Sequence, residues 1–212
     1  QKELAKSGQK FEVDNLNLKW NLETKSSHSI FVGYENESIS SKIINHAESG
    51  DDMIIILENT PFYSESGGQI GDTGIIKNDD FSARVNDTQK NGDYVLHICT
   101  LTNGAIGENL SVECMIDVDR RNNIKVNHTA THLLHQSLKD VLGNHVNQAG
   151  SLVHPEYLRF DITHPNKISS KELEAIELIV NQKIDEDIIV ETSIKSLEEA
   201  KKEGATALFG EK

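Results

Sequence analysis

Two kinds of hydrophobic pattern divide this chain. From Ser29 to Ile116 apolar residues come in short runs or alternate with polar ones, the period of half-buried strands. This predicts strands at Ile30–Tyr34, Ser38–Asn45, Met53–Glu58, Thr73–Lys77, Phe81–Thr88, Tyr94–Cys99 and Leu110–Ile116. Turn residues punctuate them: Ser49-Gly50-Asp51, Asn78-Asp79-Asp80, Asn91-Gly92-Asp93 and Asn103-Gly104. Many short strands at this spacing predict a small barrel or sandwich. After Asp117 the pattern turns mixed. Ile124, Leu134, Leu138, Val141 and Leu142 recur at steps of three and four, the helical period. Asp117 or Asp119 can cap that helix by accepting free N–H groups of the first turn. Gly143 suits the left-handed residue that ends it. Ser151–Val153 and Tyr157–Thr163 read as strands. Ser169 and Glu172 form a capping box for a helix to about Asp185. Ile188–Lys195 reads as a strand, and a second box, Ser196 with Glu199, opens a short helix before Gly204.

The expected fold is therefore α+β: a small barrel-like subdomain, residues 20–117, followed by an α/β core, residues 118–212, of helices packed on an antiparallel sheet. Residues 1–19 read as the tail of a preceding helical region, with Leu16, Leu18 and Trp20 alternating like a strand. The 36% hydrophobic fraction suffices for a core at 212 residues. No apolar run approaches the roughly 20 residues of a membrane span. Two cysteines, Cys99 and Cys114, are too few for a disulfide framework and fit a reducing cytoplasm, although one pairing stays open. The sequence shows no signal-peptide pattern and starts at Gln1, which suggests an excised internal piece.

Charge narrows the chemistry. A formal net charge of −13 argues against a general nucleic-acid coat. Residues 171–203 alone hold ten acids against five lysines, read as solvated helix faces. The four arginines are Arg84, Arg120, Arg121 and Arg159, and three of them lie near the predicted histidine helix in sequence. Any phosphate contact would be local.

That helix carries Asn127-His-Thr-Ala-Thr-His-Leu-Leu-His135. His128 and His132, four apart, share a helix face, where two imidazoles can converge on one zinc. His135 extends the stripe by a turn. With nine histidines in the chain the spacing alone is weak, and solvated or structural histidines compete with ligands. Within Glu65 to Gly74, four glycines fall in the eight residues from Gly67 to Gly74, which allows close backbone approach to a ligand or positive φ. No Gly-Lys-Ser/Thr follows, so it is not a phosphate loop, and a bulged hairpin is the plain alternative.

Four stretches taken together resemble the editing region of alanyl-tRNA synthetase, including its freestanding AlaX-type relatives. They are Pro61-Phe-Tyr-Ser-Glu-Ser-Gly-Gly-Gln-Ile-Gly-Asp-Thr-Gly74; the histidine run; Val146-Asn-Gln-Ala-Gly-Ser-Leu-Val153 with Leu158-Arg-Phe-Asp161; and Gly204-Ala-Thr-Ala-Leu-Phe-Gly-Glu-Lys212. The resemblance implies hydrolysis of the ester joining serine or glycine to tRNA(Ala). It puts the metal histidines at His128 and His132, and turns Thr131 toward the bound amino acid. Gln148 and Ser151 fall in the site, with Gly67 and Gly68 lining it. Arg159 is read from its charge as a contact for phosphate or the terminal adenosine, or equally as a salt-bridge partner.

Zinc is the implied cofactor, serving either to activate water or to hold the substrate's amino group. The tRNA(Ala) acceptor end and the rest of a synthetase chain are the implied partners. ATP would be bound only in the full-length enzyme. The family completes its metal site with a later Cys-x-x-x-His segment. The sequence ends before one, and neither Cys99 nor Cys114 has a histidine four residues on. The expectation is weak or no zinc and little deacylase activity for this stretch alone. The alternatives are a freestanding trans-editing deacylase and a non-catalytic module that docks the acceptor end. An unrelated zinc hydrolase lacks support, since Thr129 stands where a His-Glu-x-x-His base would be.

Overall fold

The computed structural model describes residues 20–21, 28–191 and 193–204. The expectations for residues 1–19, and for the stretch after Gly204, lie outside these. The chain divides into two compact units: residues 1–126 with 153–157, and residues 127–152 with 158–212.

The first unit is a closed six-stranded antiparallel barrel. Its strands are β2 (Ser38–Ser49), β3 (Asp52–Leu57), β5 (Gly74–Lys77), β6 (Phe81–Asn91), β7 (Tyr94–Gly104) and β8 (Ser111–Ile116), closed in the order β2-β3-β7-β6-β5-β8. Two further residue pairs, β1 (Ile30–Phe31) and β4 (Asn59–Thr60), run parallel beside it. The sequence gives no sign of β4, because two residues are too few for a period.

Alternation builds the interior. Ile43, Phe81, Ala83, Val85, Val112, Cys114 and Ile116 point inward together with Ile55, Leu57, Phe62 and Ile76. In β6 a register shift between Val85 and Asp87 moves the buried position from odd to even residues, so Thr88 is buried next. The apolar run of β3 is continuous rather than alternating because both its faces are covered. Ile55 and Leu57 fill the barrel, while Ile54 and Ile56 pack with Leu96 on the other side. Cys99 and Cys114 are buried free thiols. Burial pushes the Cys114 thiol up to about 12 and the Cys99 thiol higher, so neither is a thiolate at neutral pH.

Helix α1 (Val118–Leu142) begins where expected. The Asp117 carboxylate accepts the Arg120 N–H at 3.0 Å, and Gly143 ends the helix at φ +109°. In the second unit β9 (Asn147–Val153) pairs with β10 (Leu158–Thr163), followed by α2 (Ser170–Asp185) and α3 (Leu197–Lys202). Leu138 of α1, Val146 and Ile176 of α2 form its core, flanked by Leu134, Phe160 and Ile162. Both capping boxes are present, at Ser169/Glu172 and Ser196/Glu199. The fold is thus α+β, with a barrel followed by helices and a small sheet. One expectation fails: the described residues of 188–195 form no strand, and Ile188, Ile189, Val190 and Ile194 are exposed. A β-rich run makes a strand only when a neighbour supplies the ladder, and among the described residues none does.

Candidate functional site

The histidine run occupies the part of α1 that belongs to the second unit. His128 and His132 stack one turn apart, their ring centroids 5.1 Å apart and planes 15° from parallel. His128 is half-buried. Burial, and then the neighbouring His132, hold its pKa below the ordinary imidazole value. The neutral ring this favours is the form that binds metal.

His135 goes elsewhere. It packs at 5.0 Å on Phe160 of β10, and its Nε2 is buried without a hydrogen-bond partner. Among the described residues no group of three or more His, Cys, Asp or Glu side chains converges on a point. The imidazole pair thus has the donor chemistry of zinc ligands, and among the described residues it amounts to two of the four donors that a tetrahedral site would need.

Thr131, between the two histidines, is buried, and its hydroxyl donates to the Asn127 carbonyl at 2.7 Å. Its proton is thus spent within the helix, and only its lone pairs remain for a ligand. On β9, Gln148 Nε2 donates to Ser151 Oγ at 3.1 Å, which fixes the amide and leaves Oε1 as the acceptor end. Arg159 of β10 pairs with Asp161 at 3.2 Å, and both side chains are about half exposed. So the structure joins His128 to His132, Gln148 to Ser151, and Arg159 to a carboxylate. The salt-bridge alternative for Arg159 is present, and its guanidinium stays accessible.

Gly67 and Gly68 belong to the first unit. They form the tip of a tight turn closed by mutual backbone bonds between Ser66 and Gln69, with φ of +59° and +83°. That is the conformation of a primed hairpin turn, which explains the glycines without a ligand. The turn is anchored at its base, where Val153 N donates to the Gly68 carbonyl at 2.7 Å.

A buried polar network in this region escaped the sequence pattern. Asp72, inside the glycine-rich stretch, and Arg121, on α1, form a buried ion pair. Arg121 also donates to the Gly33 and Pro61 carbonyls, each at 2.9 Å. Asp72 also accepts the Tyr63 N–H at 2.7 Å, and its carbonyl takes the Thr88 hydroxyl. Arg120 adds a bond to the Gly71 carbonyl at 2.8 Å. The available signal was positional: Arg121 lies three residues before the buried Ile124, hence on the inward face.

No helix among the described residues is long and apolar enough to cross a membrane. A family model described as tRNA synthetases class II (A) matches residues 1–120. The chain is 48% identical over 191 residues to the alanine–tRNA ligase of Thermoanaerobacter sp. (strain X514), covering 86% of this chain and 22% of that protein. It is 44% identical, over an alignment of 224 positions, to the alanine–tRNA ligase of Oceanobacillus iheyensis, covering 100% of this chain and 25% of that protein. It is also 44% identical over 192 residues to the alanine–tRNA ligase of Mesorhizobium japonicum, at 86% and 22% coverage. The chain thus spans about a quarter of the length of the curated relatives it matches.

Proposed function

The chain belongs to the tRNA synthetases of class II (A), and from that premise we propose that it carries the editing site of an alanine–tRNA ligase. That site hydrolyses the ester linking serine or glycine to tRNA(Ala). The observation that carries the reading is the stacked histidine pair on α1 with a buried threonine between its members, and a hydrogen-bonded glutamine on β9 of the same unit supports it. The similarity to alanine–tRNA ligases over nearly the whole chain supports the context.

The chemical need is general. A pocket built for alanine cannot strongly reject glycine, which is smaller, nor an isostere that adds only a hydroxyl. A second site must destroy the wrong product. Thr131 fits the task of telling serine from alanine, because its hydroxyl, already donating to Asn127, can only accept. Serine's hydroxyl donates to it, and alanine's methyl leaves it unmatched. Gln148, held by Ser151, presents a carbonyl oxygen that orients the attacking water or the substrate's ammonium. Arg159 meets the backbone of the RNA end in exchange with Asp161.

His128 and His132 would hold a zinc ion, with further donors from outside the described residues. When bound it supplies the positive charge that acidifies a water or anchors the amino group. The acceptor end of tRNA(Ala) is the partner, and ATP and alanine are handled by other parts of a cytoplasmic ligase.

The direct test is Ser-tRNA(Ala) hydrolysis by the full-length ligase bearing His132→Ala or Gln148→Ala. Each variant should slow ester cleavage by at least about tenfold, the range lost with ligands and their supporting groups, while alanine attachment continues. Unchanged cleavage in both variants would refute the assignment. One observation favours a second reading, a module that docks the acceptor end without chemistry: the described residues alone bring together only two metal donors. Tight tRNA binding by the full-length ligase without any serine clearance would establish it.

A further inference from the structure

The first unit carries a cleft of about 640 Å³ on the outside of the barrel, built from residues to which the proposed hydrolysis assigns no part. Its lining includes Phe31, Tyr34 and Tyr63 together with Lys90 and Asp93. Phe31 sits at the centre of an aromatic trio. Its ring meets Tyr34 at 5.0 Å and 81°, and Tyr63 at 5.9 Å and 76°. A contact near 90° sets the edge of one ring against the face of the other, so a single such contact leaves each ring at least one face for another partner.

Tyr34 is 83% exposed, an uncommon setting for an aromatic side chain beside a concavity. Tyr63 is held firmly, since its N–H donates to the buried Asp72 carboxylate. The volume lies in the range of small-molecule sites. Lys90 and Asp93 balance in charge, so a ligand here gains from ring contact and from one local cation rather than from a positive field.

We propose that this cleft is a stacking site for an unpaired nucleobase, with Lys90 placed to meet the attached phosphate. Aromatic faces hold bases of any sequence, since every base has a π-face. A barrel surface with exposed rings and one lysine is a small version of that platform. The identity of the base donor as a single-stranded RNA end rests on the tRNA-editing reading, whereas the base-binding chemistry does not.

The experiment measures fluorescence anisotropy of a labelled single-stranded RNA octamer titrated with the full chain. AMP competition and a blunt duplex of the same sequence serve as further arms. The single strand should bind and the duplex should not. Tyr34→Ala should weaken binding roughly 5- to 150-fold, the range for one lost base–aromatic stack. Tyr34→Phe should retain it, and Tyr157→Ala, at a half-exposed tyrosine elsewhere on this unit, should leave it unchanged. Lys90→Met should flatten the salt dependence by about 0.7 in log–log slope, the share of one single-strand phosphate. AMP displacing the RNA at equal affinity would identify a single nucleotide as the ligand and still support the site.

Equal binding by wild type and Tyr34→Ala, or preference for the duplex, would overturn the proposal. The RNA carries no ester, so the outcome is independent of hydrolysis. Binding as described, with both the His132→Ala and the Gln148→Ala ligase still clearing serine at the wild-type rate, would leave the cleft standing while the editing assignment fell.

Discussion

Removing one half of the Asp72–Arg121 pair should be the most damaging single change in the barrel unit. Both side chains are nearly inaccessible, at 2% and 5% relative exposure. In Asp72→Ala the guanidinium keeps its bonds to the Gly33 and Pro61 carbonyls but loses its counter-charge in a buried setting. Breaking a buried pair in this way costs about 3–5 kcal/mol. The Tyr63 N–H is orphaned as well, an additional penalty of roughly 1–3 kcal/mol when buried. The two losses share a site and do not add fully, so about 4–6 kcal/mol is expected, a large part of the 5–15 kcal/mol that holds a domain folded.

Native-state hydrogen exchange of the β3 and β7 amides reports the stability of this unit alone, without requiring that both units unfold together. The double variant Asp72→Leu/Arg121→Met removes both charges. It should cost less than the sum of the singles by at least about 2 kcal/mol, because neither partner is left charged and alone. A single-variant loss below about 1 kcal/mol, or a coupling near zero, would refute the view that this pair ties the glycine-rich stretch to α1.

A pH effect should come from His97, which is fully buried. Its Nδ1–H donates to the Ile55 carbonyl, and Nε2 accepts from Thr60, whose oxygen takes the Phe62 N–H. Burial depresses its pKa to about 4, so its stabilisation is full above the unfolded value near 6.5. It should be lost as pH falls from there toward 4, by roughly 3 kcal/mol, and His97→Gln should flatten the urea midpoint across that window. Gly71→Ala would set a Cβ 2.2 Å from the Thr88 carbonyl oxygen, and backbone cannot yield, so a loss of about 2 kcal/mol or more is expected. Gly67→Ala meets nothing within 4 Å and should cost only the roughly 1–2 kcal/mol of a left-handed φ; thermal unfolding should rank the two in that order. In the full-length ligase, Thr131→Val removes the acceptor while keeping the shape. It should slow Ser-tRNA(Ala) clearance about tenfold and leave Gly-tRNA(Ala) clearance within twofold, as one lost hydrogen bond implies; equal slowing of both esters would contradict the acceptor role.

What could be read in advance followed from period, and what could not followed from contact. Strands such as β8 and the helix α1 are local statements, written in alternation, in Asp117 at the cap and in Gly143 at the stop. The segment after α2 has strand composition too, yet strand formation depends on a neighbour that composition does not encode. The same distinction governs the candidate site. The i, i+4 spacing places His128 beside His132 because a helix fixes that distance, but it also predicts His135 on the stripe. Only the packing partner, Phe160 from a later strand, shows that His135 is drawn away. Thr131 enters through the family resemblance, which says nothing of the direction of its hydrogen bond. That direction decides whether it can recognise a hydroxyl by donating or by accepting. Asp72 and Arg121 are 49 residues apart and join through tertiary geometry alone. Such a pair is legible in sequence only as two charges on otherwise inward-facing positions, which is the feature to look for first in glycine-rich loops that abut a helix.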